Sequence, residues 1–209
     1  MFSPEDIRVM IADDHPVVCK GLAAIIQAEP GMRIVGEASD GQQAVDMYRS
    51  LLPNVALIDL RMPVLSGLDA IRAIHREFPK ARMITLTTYK GDEDVYRAIK
   101  AGAQGYLLKG MPNRELLDAI RNVHRGRRHL PRPVLDTLAN RTPESELSGR
   151  ELEVLELIVK GMSNKRIADK LGITESTVKW HVNLILGRLN VSDRTAAAVA
   201  ALRRGIIEF

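Results

Sequence analysis

The chain has 209 residues, 45% of them apolar and only 4% aromatic; that is length for two small domains, with cores that must be aliphatic. No apolar run approaches the roughly 20 residues of a bilayer span, and Met1-Phe-Ser-Pro-Glu-Asp6 lacks the basic and apolar regions of a signal peptide. Cys19 stands alone and no Cys/His cluster has zinc spacing, which excludes an internal disulfide and a structural zinc site and leads us to expect a reducing cytoplasm. The net charge of +4 is unevenly placed. Residues 1–125 hold 16 Lys/Arg and 16 Asp/Glu, whereas residues 126–209 hold 14 and 10. The basic part suits a polyanionic partner.

Up to about residue 125 the pattern alternates strand and helix. Strands are expected at 7–12, 34–37, 55–59, 83–87 and 105–108. Helices are expected at 16–28, 40–51, 66–77, 92–101 and 112–124. Pro16 suits a first helical turn and Asp40 an N-cap, and Gly102 and Gly126 close helices. Such alternation predicts a doubly wound parallel sheet covered on both faces.

Val55 to Ile58 reads as a buried strand that ends on Asp59, before Pro63 and Gly67 break the chain. Ligands of open parallel sheets bind beyond the carboxyl ends of the strands. Asp13 and Asp14 follow the first strand, Thr87 ends the fourth and Lys109 the fifth, all on that edge. Converging carboxylates with no sulfur or imidazole ligand favour Mg²⁺. A lysine and a hydroxyl beside it complete an anion site.

This set, Asp13-Asp14, Asp59, Thr87 and Lys109, resembles the receiver domain of two-component response regulators, a flavodoxin-like fold, over residues 7–125. The resemblance implies that Asp59 accepts a phosphoryl group from a sensor histidine kinase. It implies that Asp14, Asp59 and the backbone carbonyl of Arg61 bind Mg²⁺, with Asp13 assisting through water, and that Lys109 contacts the phosphoryl group. Thr87 and Tyr106 are the implied switch pair, the ring of Tyr106 turning inward. Where the family usually has proline after this lysine the chain has Gly110, so the following loop is expected to differ in shape. His15 is read as a helix-start residue and Cys19 as a small buried hydrophobe.

Residues 126–146 are basic, polar and proline-punctuated, and read as a linker holding a short helix near 134–138. From 147 to 209 the pattern is purely helical. Ser148-Gly-Arg-Glu151 has capping-box spacing. Ser163 and Thr174 cap the next two helices, and Gly172-Ile173 turns between them. Two short helices joined by such a turn form a helix-turn-helix signature. Glu151-Leu-Glu-Val-Leu, Asn164-Lys-Arg-Ile-Ala and Thr174-Glu-Ser-Thr-Val-Lys-Trp-His resemble LuxR-type DNA-binding domains. Taken whole, the chain resembles the NarL/FixJ family of response regulators.

That resemblance implies a DNA-binding transcription regulator, not an enzyme. The helix from Thr174 enters the major groove at inverted half-sites, with Lys179, Trp180 and Asn183 toward the base edges. Asn164, Lys165, Ser176, Thr177 and Arg194 hold phosphates, which set register but carry no sequence information. Ala196, Ala197, Val199 and Ala200 pair two subunits on DNA. The homodimer forms on phosphorylation or is constitutive, and RNA polymerase is a further partner that such a regulator allows. A rival reading, a Mg²⁺-dependent phosphatase or phosphotransferase using Asp59 covalently, expects a second aspartate two positions after Asp59, where this chain has Arg61. A third reading, an atypical regulator whose receiver only dimerises or binds a ligand, is opposed by the complete acidic set.

Overall fold

The computed structural model describes residues 6–88, 92–130, 135 and 147–207. The chain divides into two compact units, with the main break in sequence near residue 135.

The first unit is built on β1 (Ile7–Ala12), β2 (Met32–Ala38), β3 (Val55–Asp59), β4 (Met83–Thr87) and β5 (Gly105–Leu108). They form a parallel sheet in the order β2-β1-β3-β4-β5. The helices between them are α1 (Pro16–Gln27), α2 (Gly41–Leu51), α3 (Gly67–Glu77) and α4 (Asp92–Lys100), and α5 (Asn113–His124) follows β5. β3 and β4 are buried throughout, as central strands of a doubly wound sheet must be. Val9, Ile11, Leu57, Ile84, Leu86 and Leu107 pack against Leu22 and Ile26 of α1 and Leu116 and Ile120 of α5. The alternate residues Met10, Ile58 and Met83 are equally inaccessible, so the sheet is covered on both faces.

Local chemistry sets the element ends. The Asp40 carboxylate accepts from Gln43 N at 2.8 Å and caps α2. Ser66 caps α3 in the same way through Asp69 N. The α3 start folds back so tightly over β3 that Gly67 N donates to the Leu60 carbonyl at 3.0 Å. A Cβ at residue 67 would stand 1.7 Å from the Asp59 carbonyl oxygen.

Two expectations change in detail. β2 spans 32–38 rather than 34–37, because Met32 and Arg33 already pair with Ile7 and Arg8. An edge strand carrying Arg33 and Glu37 hides its period. The basic stretch after Gly126 does not leave the first unit at once. His129 pairs with β5, accepting from Tyr106 N and donating to the Gln104 carbonyl, each at 3.0 Å. Of the short helix expected near 134–138, only Leu135 lies among the described residues.

The second unit is helical among its described residues: α6 (Gly149–Val159), α7 (Asn164–Leu171), α8 (Glu175–Leu189) and α9 (Arg194–Arg203). Val154, Leu155, Ile158, Ile167, Val178, Ile185, Leu189, Ala197 and Ala201 form its core. Ser148 and Glu151 make the reciprocal capping box, Ser163 and Thr174 cap α7 and α8, and Gly172 closes α7 at φ +65°. Glu151 does more than cap. Its carboxylate is 1% exposed as a residue and accepts from Ser148 N at 2.6 Å and from Arg188 Nη1 at 2.5 Å. One buried charge thus fixes the start of α6 and the far end of α8.

Glu151→Ala takes a buried carboxylate from a partly exposed Arg188 and leaves an orphan amide at the α6 start. The helical unit should lose about 2 kcal/mol, a helix cap and a charge-assisted hydrogen bond together, and Glu151→Gln less. Trp180, the sole tryptophan, belongs to this unit, so urea unfolding followed by its fluorescence reads the loss directly. Gly67→Ala should cost the first unit about 2 kcal/mol or more through the backbone shift it forces, measured by far-ultraviolet circular dichroism.

Candidate functional site

Register brings the acidic residues together. Ala12 pairs with Ile58, and Asp59 with Leu86, so Asp13 and Asp59 emerge side by side beyond β1 and β3. Thr87 pairs with Leu108, which places Lys109 one step past the end of β5. Its backbone N–H donates to the Thr87 carbonyl at 2.7 Å. The side chain turns inward. Lys109 Nζ lies 2.6 Å from Asp59 Oδ2 and 2.8 Å from Asp13 Oδ2. Both carboxylates are almost inaccessible, whereas the Asp14 side chain is 32% exposed.

Burial pushes the Asp59 carboxyl above the usual carboxylate range, although the Lys109 ammonium and the Arg61 amide, which donates to Asp59 Oδ1 at 3.3 Å, pull the other way. Burial pulls the Lys109 ammonium down, but its bonds to Asp13 and Asp59 outweigh that and hold it above its ordinary value. The Lys109 ammonium thus bridges two of the three carboxylates gathered at the strand ends. Ligand atoms of Asp13, Asp14, His15 and Asp59 lie within 4.8 Å of one another. Hard carboxylate oxygens at this spacing fit Mg²⁺.

His15 is the residue that sequence reasoning undervalued. It does start α1, as the N-cap without a side-chain bond, but its Nδ1 also lies 2.7 Å from Asp14 Oδ1 and 3.2 Å from Asp13 Oδ1. Its position directly after Asp13-Asp14 was the available signal. Thr87 is buried at the end of β4, and the Tyr106 side chain is buried in β5. Gly110 has φ +90°, a conformation a proline locked near −65° cannot adopt, so the loop after Lys109 has the altered shape expected of it. Val64 is a second departure: β-branched yet at φ +67°, at the tip of a three-residue turn in which Leu65 N donates to the Pro63 carbonyl. It is 85% exposed beside the site.

In the second unit α8 presents Ser176, Lys179, Trp180 and Asn183 to solvent. Val178, His181, Ile185 and Leu189 form its buried side. Among the described residues Lys179 makes a loose exposed pair with Glu175, at 3.6 Å, a weak contact that a stronger anion can displace. Lys165 is exposed. Asn164 and Arg194, both expected at phosphates, are joined: Arg194 Nη1 donates to Asn164 Oδ1 at 2.7 Å and Nη2 to the Met162 carbonyl. Ser176 and Thr177 each share a 2.8 Å hydroxyl contact with Thr174. Ala197 departs from the expected pairing face. It is fully buried in the helical core with Ala201 one turn on, because positions 197 and 201 lie on the inner stripe of α9. Val199 is exposed, and Ala196 and Ala200 half-buried.

Comparison with known proteins agrees with both units. Residues 9–121 match the response regulator receiver domain, and residues 145–201 match the bacterial regulatory proteins of the luxR family. The transcriptional regulatory protein LiaR of Bacillus subtilis is 42% identical over 96% of this chain and 99% of its own. The nitrate/nitrite response regulator protein NarP of Escherichia coli is 40% identical over 94% and 95%. Among solved structures, RcsB of Salmonella enterica serovar Typhimurium, bound to promoter rprA in the presence of phosphomimetic BeF3⁻, matches with a TM-score of 0.70 and 26% identity over 95% of this chain and 99% of that one. A receiver followed by a LuxR-type helix-turn-helix defines a two-component response regulator with a DNA-binding domain. The chain belongs to the NarL/FixJ family of these transcription regulators. No helix among the described residues is long and apolar enough to cross a membrane.

Lys109→Met leaves two buried carboxylates facing each other. The receiver should lose about 3 kcal/mol at neutral pH. A carboxyl whose pKa is raised by folding costs no stability below its ordinary unfolded value; the cost grows as pH rises from there to the raised value and is constant above it. The deficit should therefore shrink as pH falls, which urea unfolding by circular dichroism at two pH values in EDTA would measure.

Proposed function

We propose that Asp59 is the phosphoacceptor of a sensor histidine kinase and that its phosphorylation controls DNA binding by α8. The observation that carries this reading is the Lys109 ammonium, held at 2.6 Å from Asp59 and 2.8 Å from Asp13 at the open end of the sheet. Asp59 Oδ attacks the phosphorus of a phosphohistidine. The P–N bond breaks, and the imidazole nitrogen leaves with the electron pair and takes a proton. Asp13, Asp14, Asp59 and the Arg61 carbonyl would hold Mg²⁺, which supplies charge stabilisation to the transferring phosphoryl group. Lys109 then exchanges its bond to the free carboxylate for one to a phosphoryl oxygen, and Thr87 donates its hydroxyl to another.

Three new oxygens in a nearly closed site require rearrangement. Thr87 moves toward them, and Tyr106 in the neighbouring strand fills the space behind it. The change at β4 and β5 alters which surfaces of the receiver favour a second copy. As a dimer the regulator presents two α8 helices to inverted half-sites, Ala196, Val199 and Ala200 forming the pairing face. Lys179 donates to guanine and Asn183 pairs with adenine, while Lys165 binds phosphate. The similarity to NarP and to promoter-bound RcsB, the basic second half and the solvent-facing stripe of α8 support this reading. It places the protein in the cytoplasm.

Asp59→Asn should abolish labelling by a phosphorylated kinase or acetyl phosphate while leaving the fold intact. With the native chain, beryllofluoride plus Mg²⁺ should drive dimerisation and tighten DNA binding at fixed salt. If the native protein dimerises and binds equally with and without the mimic, the phospho-switch falls and the DNA-binding assignment remains. Lys165→Ala should weaken binding alike on all sequences and lower the salt slope by about one. Lys179→Ala should cost about 1–3 kcal/mol of base discrimination. Titrations at several salt concentrations separate the two.

A further inference from the structure

Ser176, Lys179 and Asn183 follow one another at three- and four-residue steps, Trp180 lies four after Ser176 and three before Asn183, and all four are exposed, so they share one outward face of α8. Three of them are polar. Trp180 is not: it is 58% exposed, and its ring meets the buried His181 edge-on, with centroids 4.8 Å apart and an interplanar angle of 64°. That contact pre-orders the indole, so less conformational entropy is lost when something covers it.

The chemistry of the indole limits what that is. It has one N–H donor and no acceptor, so a phosphate would use one atom and leave the apolar rings wet. In a major groove guanine, cytosine and adenine offer polar edges. The apolar group there is the C5 methyl of thymine. We propose that Trp180 is a specificity-determining residue that reads a thymine methyl in each half-site. The proposal rests on the reading of α8 as the helix that enters the groove. It also fixes a spacing. Trp180 and Asn183 are separated by about 4.5 Å along the helix, against about 3.4 Å per base step, so the thymine lies within about two base pairs of the adenine that Asn183 pairs.

The test starts with selection of duplexes from a randomised pool by the full chain, loaded with beryllofluoride and Mg²⁺ at one salt concentration. Each thymine of the selected site is then replaced singly by deoxyuridine, which removes only the methyl. Native protein, Trp180→Ala and Trp180→Phe are compared, with circular dichroism confirming the fold of each. One position per half-site should weaken native binding roughly fourfold, the effect of burying one methyl group. Trp180→Ala should lose that discrimination along with affinity, and Trp180→Phe should keep part of it. Deoxyuridine that is neutral at every position overturns the proposal, as does a methyl effect that survives in Trp180→Ala. In either case intact sequence selection leaves the DNA-binding reading standing. A native chain that selects no sequence overturns both.

Discussion

The receiver turns on one ammonium between two buried carboxylates. Lys109 reaches from the end of β5 across the ends of β3 and β1, and without it Asp59 and Asp13 would stand as unshielded like charges in a place nearly closed to water. A group buried for reactivity is expensive to keep charged. The sheet meets that cost with its own geometry: parallel strands in matched register deliver the carboxylates and the lysine to one edge. Asp14, partly solvated, and the His15 ring against it complete a cluster that is still over-supplied with negative charge. That excess suits the site to a divalent cation, and the lysine it leaves bridging is the group best placed to follow a phosphoryl oxygen.

Much of this architecture was legible in the sequence because the relevant signals are local. Apolar runs ending on Asp59 and Thr87 defined strands whose ends needed no tertiary information. Asp40, Ser148, Ser163 and Thr174 each announced a helix start through a side-chain oxygen that does accept from the third residue on. Signals that depend on partners were less readable. β2 gained residues because pairing with β1 overrode its polar pattern. Val64 gave no warning of a left-handed backbone, since its conformation is imposed by the turn that carries α3 over β3. The strand pattern already put Asp13 and Asp59 on one edge of the sheet; that they are immediate neighbours follows from the pairing of β1 with β3, which no local signal carries.

In the helical unit the same division holds. Capping signals and the turn at Gly172 were readable, and the resemblance put Trp180 on the outward side of α8, where it is exposed. The place of Ala197 was not. A helix as rich in alanine as α9 has almost no amphipathic contrast, so its buried stripe is set by which neighbours it meets rather than by its own pattern. The pairing of Arg194 with Asn164 is likewise a matter of distance across thirty residues, invisible to any local reading. It gives those two side chains a structural task in holding the starts of α7 and α9 together.

The strand that carries Lys109 and Tyr106 lies at the rim of the sheet, where unpaired backbone groups are an invitation to other strands. His129 occupies that rim through bonds to Tyr106 N and the Gln104 carbonyl. The chain that runs on toward the second unit is therefore stitched to β5 before it departs. Moving β5 without His129 means giving up both bonds, at a net cost of about 1 kcal/mol each. For small displacements the strand and the root of the connecting segment travel as one piece, like a rope made fast to the plank that shifts.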